Sequence, residues 1–464
     1  MVRRPCAAGP CCARGFGARS ASRAPPAGRP RRQGERPMNL RAPRRVLGGS
    51  ARDSPLRAAA CMTVCLFEDA PVAHFAPLTL TRAVYDLRVG ARTLWERTAD
   101  LFGPAPLAVH ARDSVRAVTR QEHPEAMALD EVTGGVLLVN GRWRASASAA
   151  ARVREGARDA PRAWRQGDDL LALWLPEAPA DPQNALVLPE RTQLDEIEGE
   201  TVLSRLWHLL DDLPERIAED LAAMGGLGTH EGADVQTGAV LWHPDRIHLA
   251  PGATIRPGAV LNAEAGPIRI EAGATVEENA VLRGPAWLGR DAILKASARV
   301  DSSAIGYWSK VGGEVHASVV HSLSNKGHDG YLGNSYLGRW CNLGADTNIS
   351  NLRNDYGEVT LWDPVERDFV GTGRQFAGLV MGDHSKCAIV TTFNTGTVVG
   401  VSCNLYGPGF HPRHVPSFTW GTPEKQVEYR PDKALRVAET VMARRDRQLT
   451  AADREALLAA HATR

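Results

Sequence analysis

The residues best suited to chemistry lie in the polar segment 324–356, "SNKGHDGYLGNSYLGRWCNLGADTNISNLRNDY". Within it, His328 stands between Gly327 and Gly330, a setting typical of a tight turn. A neutral imidazole accepts a proton near neutral pH, so His328 is the candidate general base. The hydroxyl and amide groups that can hold a polar ligand follow at Tyr331, Asn342 and Asn351.

This polar segment interrupts a six-residue repeat that runs from about Leu249 to Leu405. The unbroken part of the repeat is Ile270, Val276, Leu282, Leu288, Leu294 and Val300. Six residues fit neither a 3.6-residue helix nor an alternating strand, and a fixed short period is typical of repeat architectures. We therefore predict a left-handed parallel β-helix of hexapeptide repeats, in which three flat sides make one coil.

The β-helix also offers a structural interpretation of the polar segment. Asparagines often stack as ladders in such a helix, and a single histidine is usually only a surface residue. We favour a functional site because the spacing of His328, Tyr331, Asn342 and Asn351 matches that of a known protein family.

An α/β domain with a largely parallel sheet is predicted over residues 62–225, because strand-like and helix-like segments alternate there. Buried strands are expected at 63–67 ("TVCLF"), 134–143, 170–175 and 184–189. A helix capped by Thr81 is expected over 82–100, and a long amphipathic helix over 201–224.

Three arginines of the expected 82–100 helix have two interpretations. Arg82, Arg88 and Arg92 cluster near a strand-to-helix loop, where phosphate groups are commonly held. Arg88, Arg92 and Glu96 also have the spacing of an ordinary helical salt-bridge ladder. Arg82 and Arg88 are the candidate substrate-binding residues of this domain, although no Gly-rich Rossmann or P-loop fingerprint accompanies them.

The stretch "LFEDAPVAHFAPLTLTRAVYDLRVGARTLWER", followed by "LLVNGRW", resembles the N-terminal domain of a group of bacterial sugar nucleotidyltransferases. They are relatives of the bifunctional uridyltransferase/acetyltransferase that makes UDP-N-acetylglucosamine. The resemblance implies a nucleoside triphosphate as cosubstrate, with Mg²⁺ screening the phosphates. The usual signature, a Gly-rich loop with a following Arg and a Pro-Lys pair, does not occur here; the loop 68–81 has no glycine.

The polar segment resembles the acetyltransferase half of the same bifunctional family. The hallmark of that half is a Gly-His pair, a Tyr three residues on and two spaced Asn, here Gly327-His328, Tyr331, Asn342 and Asn351. The resemblance implies acetyl-CoA as cosubstrate, His328 as the base for an amine that attacks the thioester, and a sugar phosphate held by the other residues. It further implies a homotrimer with active sites between subunits, with Arg374 and His384 as candidate cofactor-binding residues.

The chain departs from that family at its basic positions. A Lys is expected twelve residues before the catalytic His, where this chain has His316. The Arg expected on an earlier coil has no clear equivalent, Arg299 being the nearest. Arg353 or Arg374 is the candidate substitute for binding the phosphate. An insertion at 357–373, "GEVTLWDPVERDFVGTG", is expected to be either a lid or a decorated loop.

Composition excludes several classes of protein. The net charge of +2 hides a basic tail: residues 1–61 hold 14 Arg and two acids, and the remainder has 41 basic against 51 acidic residues. An acidic body is a poor nucleic-acid binder. No run of eighteen apolar residues occurs, and Cys65, Cys341, Cys387 and Cys403 lack metal-type spacing. We therefore expect no membrane span and no nucleic-acid partner, buried reduced thiols, and a cytoplasmic protein.

A zinc site of the γ-type carbonic anhydrase kind requires three histidines. His316 and His321 have a suggestive spacing, but no third histidine lies one or two coils earlier. No metal-ligating residue is therefore predicted.

Four segments follow from these patterns. Residues 1–61 are a tail too polar to fold: a transit peptide, a nucleic-acid-binding arm or, as we favour, sequence upstream of a true start at Met38 or Met62. Residues 62–225 form the nucleotidyltransferase-like domain, 226–415 the β-helix acyltransferase domain and 416–464 a helical segment. The resemblance implies a sugar-phosphate acetyltransferase coupled to sugar-1-phosphate nucleotidyl transfer. The alternatives are a protein with one active half, and a non-enzymatic protein that binds sugar nucleotides or assists assembly.

Overall fold

The computed structural model describes residues 62–103, 105–158 and 160–464. The tail 1–61, with its three interpretations, lies outside the described residues. Within the described residues, no helix has both the length and the apolar character that crossing a bilayer requires.

A seven-stranded sheet forms the centre of the N-terminal part, with the strand order β3-β2-β1-β4-β7-β6-β8. Its strands are β1 (Thr63–Phe67), β2 (Leu107–His110), β3 (Met127–Ala128), β4 (Val136–Asn140), β6 (Arg162–Gln166), β7 (Asp169–Leu175) and β8 (Gln193–Glu196). Two short strands, β5 (Trp143–Arg144) and β9 (Thr201–Val202), pair with each other. The strands β1 to β4 are parallel, whereas β7 is antiparallel to both β4 and β6. The predicted α/β domain with a largely parallel sheet is thus confirmed.

The helices of this part begin later than the sequence predicted. They are α1 (Leu94–Phe102), α2 (Asp113–Glu122), α3 (Ala147–Gly156) and α4 (Leu213–Met224). The helix predicted from residue 82 starts only at Leu94, because Thr93 and Glu96 form a capping box there. The prediction that Thr81 caps this helix is therefore wrong. The helix predicted from residue 201 starts at Leu213, with Pro214 in its first turn.

Short 3₁₀ helices replace other predicted elements. They lie at Ala70–Phe75, Val84–Asp86, Leu129–Glu131, Pro182–Asn184, Leu206–Leu209 and Pro244–Arg246. The strand predicted at 184–189 does not form. A 3₁₀ turn begins that region because the Asp181 carboxylate accepts a hydrogen bond from the backbone N–H of Gln183.

Three parallel sheets follow and form the three sides of a β-helix. The first side has the strands Asp234–Val235, Thr254–Ile255, Thr275–Val276, Ile293–Leu294, Lys310–Val311, Asn325–Lys326, Asn342–Leu343, Lys386–Cys387, Asn404–Leu405, Thr419–Gly421 and, antiparallel, Gln426–Glu428. The second side has Val240–Trp242, Val260–Asn262, Val281–Arg283, Arg299–Asp301, Glu314–His316 and Tyr331–Gly333. The third side has Ile247–Leu249, Ile268–Ile270, Ala286–Leu288, Ala304–Ile305, Val319–Ser322, Tyr336–Arg339, Leu379–Met381, Thr397–Val399 and His414–Val415.

The interior of the β-helix is the largest apolar core of the described residues. One buried cluster contains the whole unbroken run of the repeat, Ile270, Val276, Leu282, Leu288, Leu294 and Val300, together with its extensions at both ends. Equivalent residues of successive coils pair in register, as Val276 does with Leu294. The predicted hexapeptide β-helix is confirmed, and its cysteines Cys341, Cys387 and Cys403 are buried free thiols.

The insertion after the polar segment forms a hairpin. Its strands Thr360–Asp363 and Asp368–Gly371 are antiparallel. A separate parallel pair, Asn348–Ile349 with Thr392–Phe393, lies next to the second-side strand Tyr331–Gly333. The ring of Trp362 stacks on that of His414, with 4.1 Å between the centroids, so the hairpin is packed against the third side.

The outer face of the third side is covered by the α/β domain. Trp287, Val319, Tyr336, Val380 and Val398 belong to one buried cluster with residues of the first domain such as Leu206 and Ile217. Polar contacts reinforce it: Arg82 pairs with Asp383, and the Tyr336 hydroxyl accepts a hydrogen bond of 2.9 Å from the Arg88 backbone N–H. The two parts therefore share a core.

Two C-terminal helices complete the fold, α5 (Pro431–Ala443) and α6 (Ala451–Ala462). Helix α6 packs on α2 of the first domain. Buried residues of both helices, Ala438 and Leu457 among them, pack with Trp340 and Phe418 of the β-helix. The helices thus lie at the corner between the third and first sides.

Truncation of one inward residue tests the interior packing. Leu294 is fully buried, and Leu294→Ala is expected to lower the free energy of unfolding by about 2–5 kcal/mol, because it removes apolar contacts and leaves a cavity. The measurement is denaturant unfolding followed by circular dichroism. The neighbouring Lys295 points outward and is 39% exposed; Lys295→Ala should change stability by less than about 1 kcal/mol. Equal effects of the two variants would contradict the inward assignment.

Candidate functional site

His328 lies on the corner turn between the first and second sides of the β-helix. The turn follows the strand Asn325–Lys326 and precedes Tyr331–Gly333. Its backbone is bonded to the coils on both sides: the Asp329 carbonyl accepts from the Asp346 N–H at 3.0 Å, and the Gly330 carbonyl from the Glu314 N–H at 3.1 Å. The His328 side chain is exposed. A well-held turn thus presents the imidazole to solvent.

Gly330 is required for this close fit. Its φ is +112°, and a Cβ placed there would overlap the carbonyl oxygen of Thr347 on the next coil. Only glycine adopts such a conformation in so little space. The predicted tight turn is therefore explained by backbone geometry.

Tyr331 and Asn351 are brought together next to the turn, on the second-side face. The Asn351 side-chain amide donates to the Tyr331 hydroxyl at 3.1 Å and to Asn334 Oδ1 at 2.8 Å. Burial raises the pKa of the Tyr331 phenol, partly offset by the hydrogen bond from Asn351. Tyr331 is therefore a neutral hydroxyl at physiological pH, able to donate one hydrogen bond.

Asn342 lies around the corner, on the first side and one coil further. It is exposed, and its Oδ1 accepts from the Asn325 amide at 3.3 Å. Asn325 in turn accepts from the guanidinium of Arg445 on the C-terminal segment at 2.8 Å. The asparagine-ladder interpretation thus describes Asn325 and Asn342, while Asn351 belongs with Tyr331. His328 stands between the two groups.

Lys326 also belongs to this candidate site, although the sequence analysis did not predict it. It occupies an inward position, where its in-register neighbour is Val311, and it is only 2% exposed. Its ammonium group donates to the carbonyl oxygens of His328 at 2.6 Å and Gly312 at 2.9 Å. The sequence did contain a signal for this role, because a lysine stands at a repeat position that is otherwise aliphatic. Lys326 supports the His328 turn from inside the helix.

The other predicted binding residues are not brought to this turn. Arg82 is 2% exposed and pairs with Asp383 at the junction between the α/β domain and the β-helix, and Arg88 lies over the Trp287 ring, 4.3 Å from its centroid. The long helix predicted from residue 82 does not begin beside these arginines, where the chain forms the short 3₁₀ helix Val84–Asp86. Their role in binding a substrate stays a prediction, which their burial against the third side does not favour.

Arg374 and His384 also lie elsewhere. Arg374 pairs with Asp211 of the first domain, its Nε lying 2.5 Å from the carboxylate. His384 is on the corner between the third and first sides, where its ring stacks on Trp340. Their role in binding a cofactor stays a prediction, which this placement does not favour.

His316 stands where the resembling family has a lysine. It lies on the second-side face with Asp301 on the preceding coil, and their side chains are 3.7 Å apart. The interaction with Asp301 raises the pKa of His316 above its ordinary value. The face thus carries an imidazole, paired with Asp301, at the position of the missing lysine. Among the described residues, no cluster of three or more His, Cys, Asp or Glu side chains has the arrangement of a metal site.

A second candidate site is a cleft of about 1290 Å³ at the carboxyl ends of β1 and β2. Glu68 and Asp69 follow β1, and His110 and Arg112 lie at the end of β2. Strand order reverses beside β1, the place where open α/β sheets bind ligands. The hairpin's Trp362 lines the opposite wall. The cleft therefore lies where open α/β sheets usually bind a ligand.

The carboxylates of this cleft are already engaged by arginines. Arg142, which is fully buried, contacts both Asp69 oxygens at 2.6 Å and Asp169 at 2.6 Å. Arg112 contacts Glu68 at 2.5 Å. These pairs hold the loop after β1 in one position. They also leave the cleft without a free pair of acidic groups.

Replacement of Lys326 tests its part in supporting the turn. Burial lowers the pKa of Lys326 to about 8, against the pull of Asp329 and Asp346. A folded-state pKa below the unfolded value makes stability rise with pH between about 8 and 10.5. Between pH 7 and pH 10, the free energy of unfolding of the wild type should therefore rise by up to about 3 kcal/mol relative to that of Lys326→Met. Urea unfolding at both pH values measures this, and an unchanged difference would contradict it.

Comparison with known proteins shows what the first domain is similar to. Residues 64–225 match the family model described as sugar nucleotidyl transferase. The bifunctional protein GlmU of Methanocaldococcus jannaschii is 34% identical over 90 residues, 19% of this chain and 21% of that protein. A bifunctional sugar-1-phosphate nucleotidylyltransferase/acetyltransferase of Sulfurisphaera tokodaii is 34% identical over 96 residues, 21% of this chain and 23% of that protein. The chain thus matches about a fifth of the length of these relatives.

Solved structures give a weaker likeness. The UDP-N-acetylglucosamine acyltransferase of Francisella novicida is 13% identical and has a TM-score of 0.27, covering 45% of this chain and 71% of that one. The Arabidopsis enzyme is 14% identical with a TM-score of 0.22, covering 47% and 79%. Values this low support no functional conclusion. Residues 64–225 are thus similar to sugar nucleotidyl transferase domains, and part of the chain is similar to bifunctional nucleotidyltransferase/acetyltransferase proteins.

Proposed function

We propose that the chain is a bifunctional transferase, in which the β-helix transfers an acetyl group from acetyl-CoA to an amine of a sugar phosphate. The observation that carries the proposal is the exposed His328 turn, supported from inside by Lys326 and flanked by the Tyr331–Asn351 pair. An exposed imidazole on a fixed turn has the geometry that a general base requires.

The proposed reaction uses His328 for both proton transfers. The imidazole takes a proton from the amine as its nitrogen forms a bond to the thioester carbonyl carbon. The tetrahedral intermediate then expels the coenzyme A sulfur, and the imidazolium returns the proton to it. A backbone N–H of an adjacent coil is the proposed donor to the carbonyl oxygen as it becomes negative. The Tyr331 hydroxyl would hold the sugar.

A shallow groove on the second side offers basic groups for the phosphate. Arg283, Arg299 and His316 line this groove of about 300 Å³ together with Tyr331. These groups replace the family's lysine and arginine, although Arg299 already bonds Glu314 at 2.8 Å. The groove is continuous with Tyr331 and thus with the His328 corner. It is a better placed phosphate site than Arg353 or Arg374, which pair with Asp355 and Asp211.

The active unit is proposed to be a homotrimer. Ile389 and Val390 are on the corner turn two coils beyond the His328 turn, and Phe410 is one coil further. They are 69%, 57% and 60% exposed in the single chain. Contiguous exposed apolar side chains on one corner indicate a protein interface. A neighbouring subunit would cover them and complete the groove.

The first domain is proposed to bind a nucleoside triphosphate in the cleft beyond β1 and β2 and to transfer its nucleotidyl group to a sugar 1-phosphate. The cleft carboxylates do not fit a resident Mg²⁺, because Asp69 and Glu68 are both paired with arginines. Mg²⁺ would enter the cleft already bound to the nucleoside triphosphate. The arginine-held loop without glycine favours, as the second candidate, a protein in which only acetyl transfer is active.

Replacement of the base tests acetyl transfer. His328→Asn is expected to lower kcat by about 10²–10⁴-fold, because general-base assistance is lost. Thiol release from acetyl-CoA, measured with a panel of amino-sugar phosphates, gives the rate. The control is His243→Asn on an exposed turn of an early coil, which should keep the wild-type rate. If His328→Asn released thiol as fast as wild type, the base assignment would be wrong.

Pyrophosphate release distinguishes the two candidate functions. Purified protein incubated with sugar 1-phosphates and nucleoside triphosphates should release pyrophosphate at the same rate in wild type and His328→Asn, because the two sites lie on separate parts of the chain. Absence of pyrophosphate with every pair, alongside thiol release, would leave acetyl transfer as the only reaction.

A charge on the exposed corner tests the trimer. Ile389→Asp is expected to convert a trimer to a monomer and to lower acetyl transfer in parallel, because a buried unpaired carboxylate opposes association. Light scattering after size-exclusion chromatography measures the mass. Val187→Asp, at a first-domain position that is 65% exposed, is the matched control. A monomeric wild type with full activity would overturn the trimer.

A further inference from the structure

The groove on the second side is lined by the phenol of Tyr331. Its hydroxyl oxygen accepts a hydrogen bond of 3.1 Å from the side-chain amide of Asn351. A phenol that accepts in this way still has one O–H to donate. Among the described residues, no group accepts a hydrogen bond from that O–H. The phenolic proton is therefore available to a ligand in the groove.

Gly333 leaves the space in which this phenol lies. It follows Tyr331 by two residues in the same strand, so both residues project from the outer face of the β-helix. A Cβ on Gly333 would overlap the Tyr331 hydroxyl and would lie 2.7 Å from Asn351 Nδ2. The in-register neighbour of Gly333 on the preceding coil is His316. The phenol thus reaches along its own strand to a position beside this histidine of the groove.

Asn334 is a fixed acceptor at the corner between the second and third sides. Its backbone N–H donates to the His316 carbonyl at 3.0 Å, and its carbonyl accepts from the Gly378 N–H at 2.8 Å. Its φ of +44° lies in the left-handed region, which asparagine adopts more readily than most residues. Its Oδ1 accepts from Asn351 Nδ2 at 2.8 Å. The two amide protons of Asn351 are therefore shared between Asn334 and Tyr331.

The orientation of the Asn351 amide decides what the Tyr331 hydroxyl can do. In the observed orientation the NH₂ group faces the phenol, which leaves the phenolic proton for a ligand. In the reversed orientation the amide oxygen would face the phenol and would accept that proton. Asn334 Oδ1 favours the observed orientation, because it requires a donor from the same amide.

We propose that Asn334 and Gly333 are positioning residues, which act through Tyr331 and hold its hydroxyl as a donor to an oxygen of the acetyl acceptor. The identity of this ligand rests on the acetyl transfer proposed above, whereas the hydrogen-bond relay does not. Gly333 sets where the hydroxyl lies, and Asn334 sets, through Asn351, where its proton points.

A double-mutant cycle on the KM of the acceptor tests the role of Asn334. The acceptor is glucosamine 1-phosphate or 6-phosphate, whichever the wild type acetylates. Tyr331→Phe and Asn334→Gly should each raise this KM about tenfold with kcat within about twofold of wild type, because one hydrogen bond to the acceptor is lost. The double variant should match Tyr331→Phe alone, because Asn334 acts only through that hydroxyl. Additive effects, or an unchanged KM in Asn334→Gly, would overturn the proposal.

Three further variants separate positioning from a general loss of structure. Asn334→Asp retains the acceptor as a carboxylate and should keep KM within about twofold of wild type. Gly333→Ala adds one methyl group, displaces the end of the Tyr331 side chain and should raise KM about tenfold, as Tyr331→Phe does. Asn279→Gly, at an exposed left-handed position of an earlier coil, should keep the wild-type KM. If Asn334→Gly or Gly333→Ala does not fold, by circular dichroism, the other decides by the same criterion.

Fluorine NMR distinguishes failure of this inference from failure of the proposed acetyl transfer. The chain has seven tyrosines, and in protein labelled with 3-fluorotyrosine the Tyr331 resonance is the one absent from Tyr331→Phe. Asn334→Gly should shift this resonance and raise the pKa of its phenol, because the hydrogen bond from Asn351 lowers that pKa. This result would support the positioning role even if the wild type transferred no acetyl group. A resonance and a pKa equal to those of wild type would overturn the role, with or without transfer.

Discussion

The position of the α/β domain on the β-helix depends on burial of the apolar third side, and this interface contains the ion pair between Arg82 and Asp383. Both side chains are withdrawn from water, at 2% and 4% exposure. Burial of two charges is best offset when their remaining polar groups are also satisfied. Asp383 accepts further hydrogen bonds from the Thr81 hydroxyl and the Arg339 backbone N–H, each at 2.8 Å, whereas Arg82 Nε and Nη1 have no hydrogen-bond partner among the described residues. Loss of either charged partner would leave the other uncompensated in the interface between the two parts.

This interface divides the β-helix into a covered side and free corners. The third side packs against the α/β domain through residues such as Trp287 and Tyr336. The corner with His328 lies between the other two sides and remains accessible. A regular solenoid has three similar faces, so covering one of them decides which corners are left for chemistry. The same covering removes Arg82 and Arg88 from any role at an open loop.

Much of the fold followed from the sequence, because the repeat is local and strict. Each coil buries its aliphatic residues against identical neighbours, so the interior run Ile270 to Val300 was predictable from spacing alone. The first-domain helices were placed less well. Apolar residues between 82 and 93 are buried in a cluster that joins first-domain helices to the β-helix, and a pattern of apolar residues does not say which partner buries them. The Thr93–Glu96 capping box was the local signal for the true start.

The candidate site was predictable in part, for a related reason. His328, Tyr331, Asn342 and Asn351 were found through their spacing, and the structure brings Tyr331 and Asn351 into contact. The contacts of Arg82 with Asp383 and of Arg374 with Asp211 join residues more than 150 positions apart. Nothing in one sequence reveals such pairings. The sequence therefore predicted exposed positions for Arg82 and Arg374, whose partners lie in a different domain.

One departure from the repeat lies directly under the candidate base, His328. An aliphatic residue at position 326 would pack with Val311 and with Leu343 of the next coil. The chain instead buries an ammonium group there, at a cost in free energy that packing alone cannot justify. The group is retained where it holds the carbonyl of His328, a backbone atom that no strand pairing satisfies. A repeat that is broken at one inward position, directly under an exposed imidazole, therefore locates the site more sharply than the polar surface residues do.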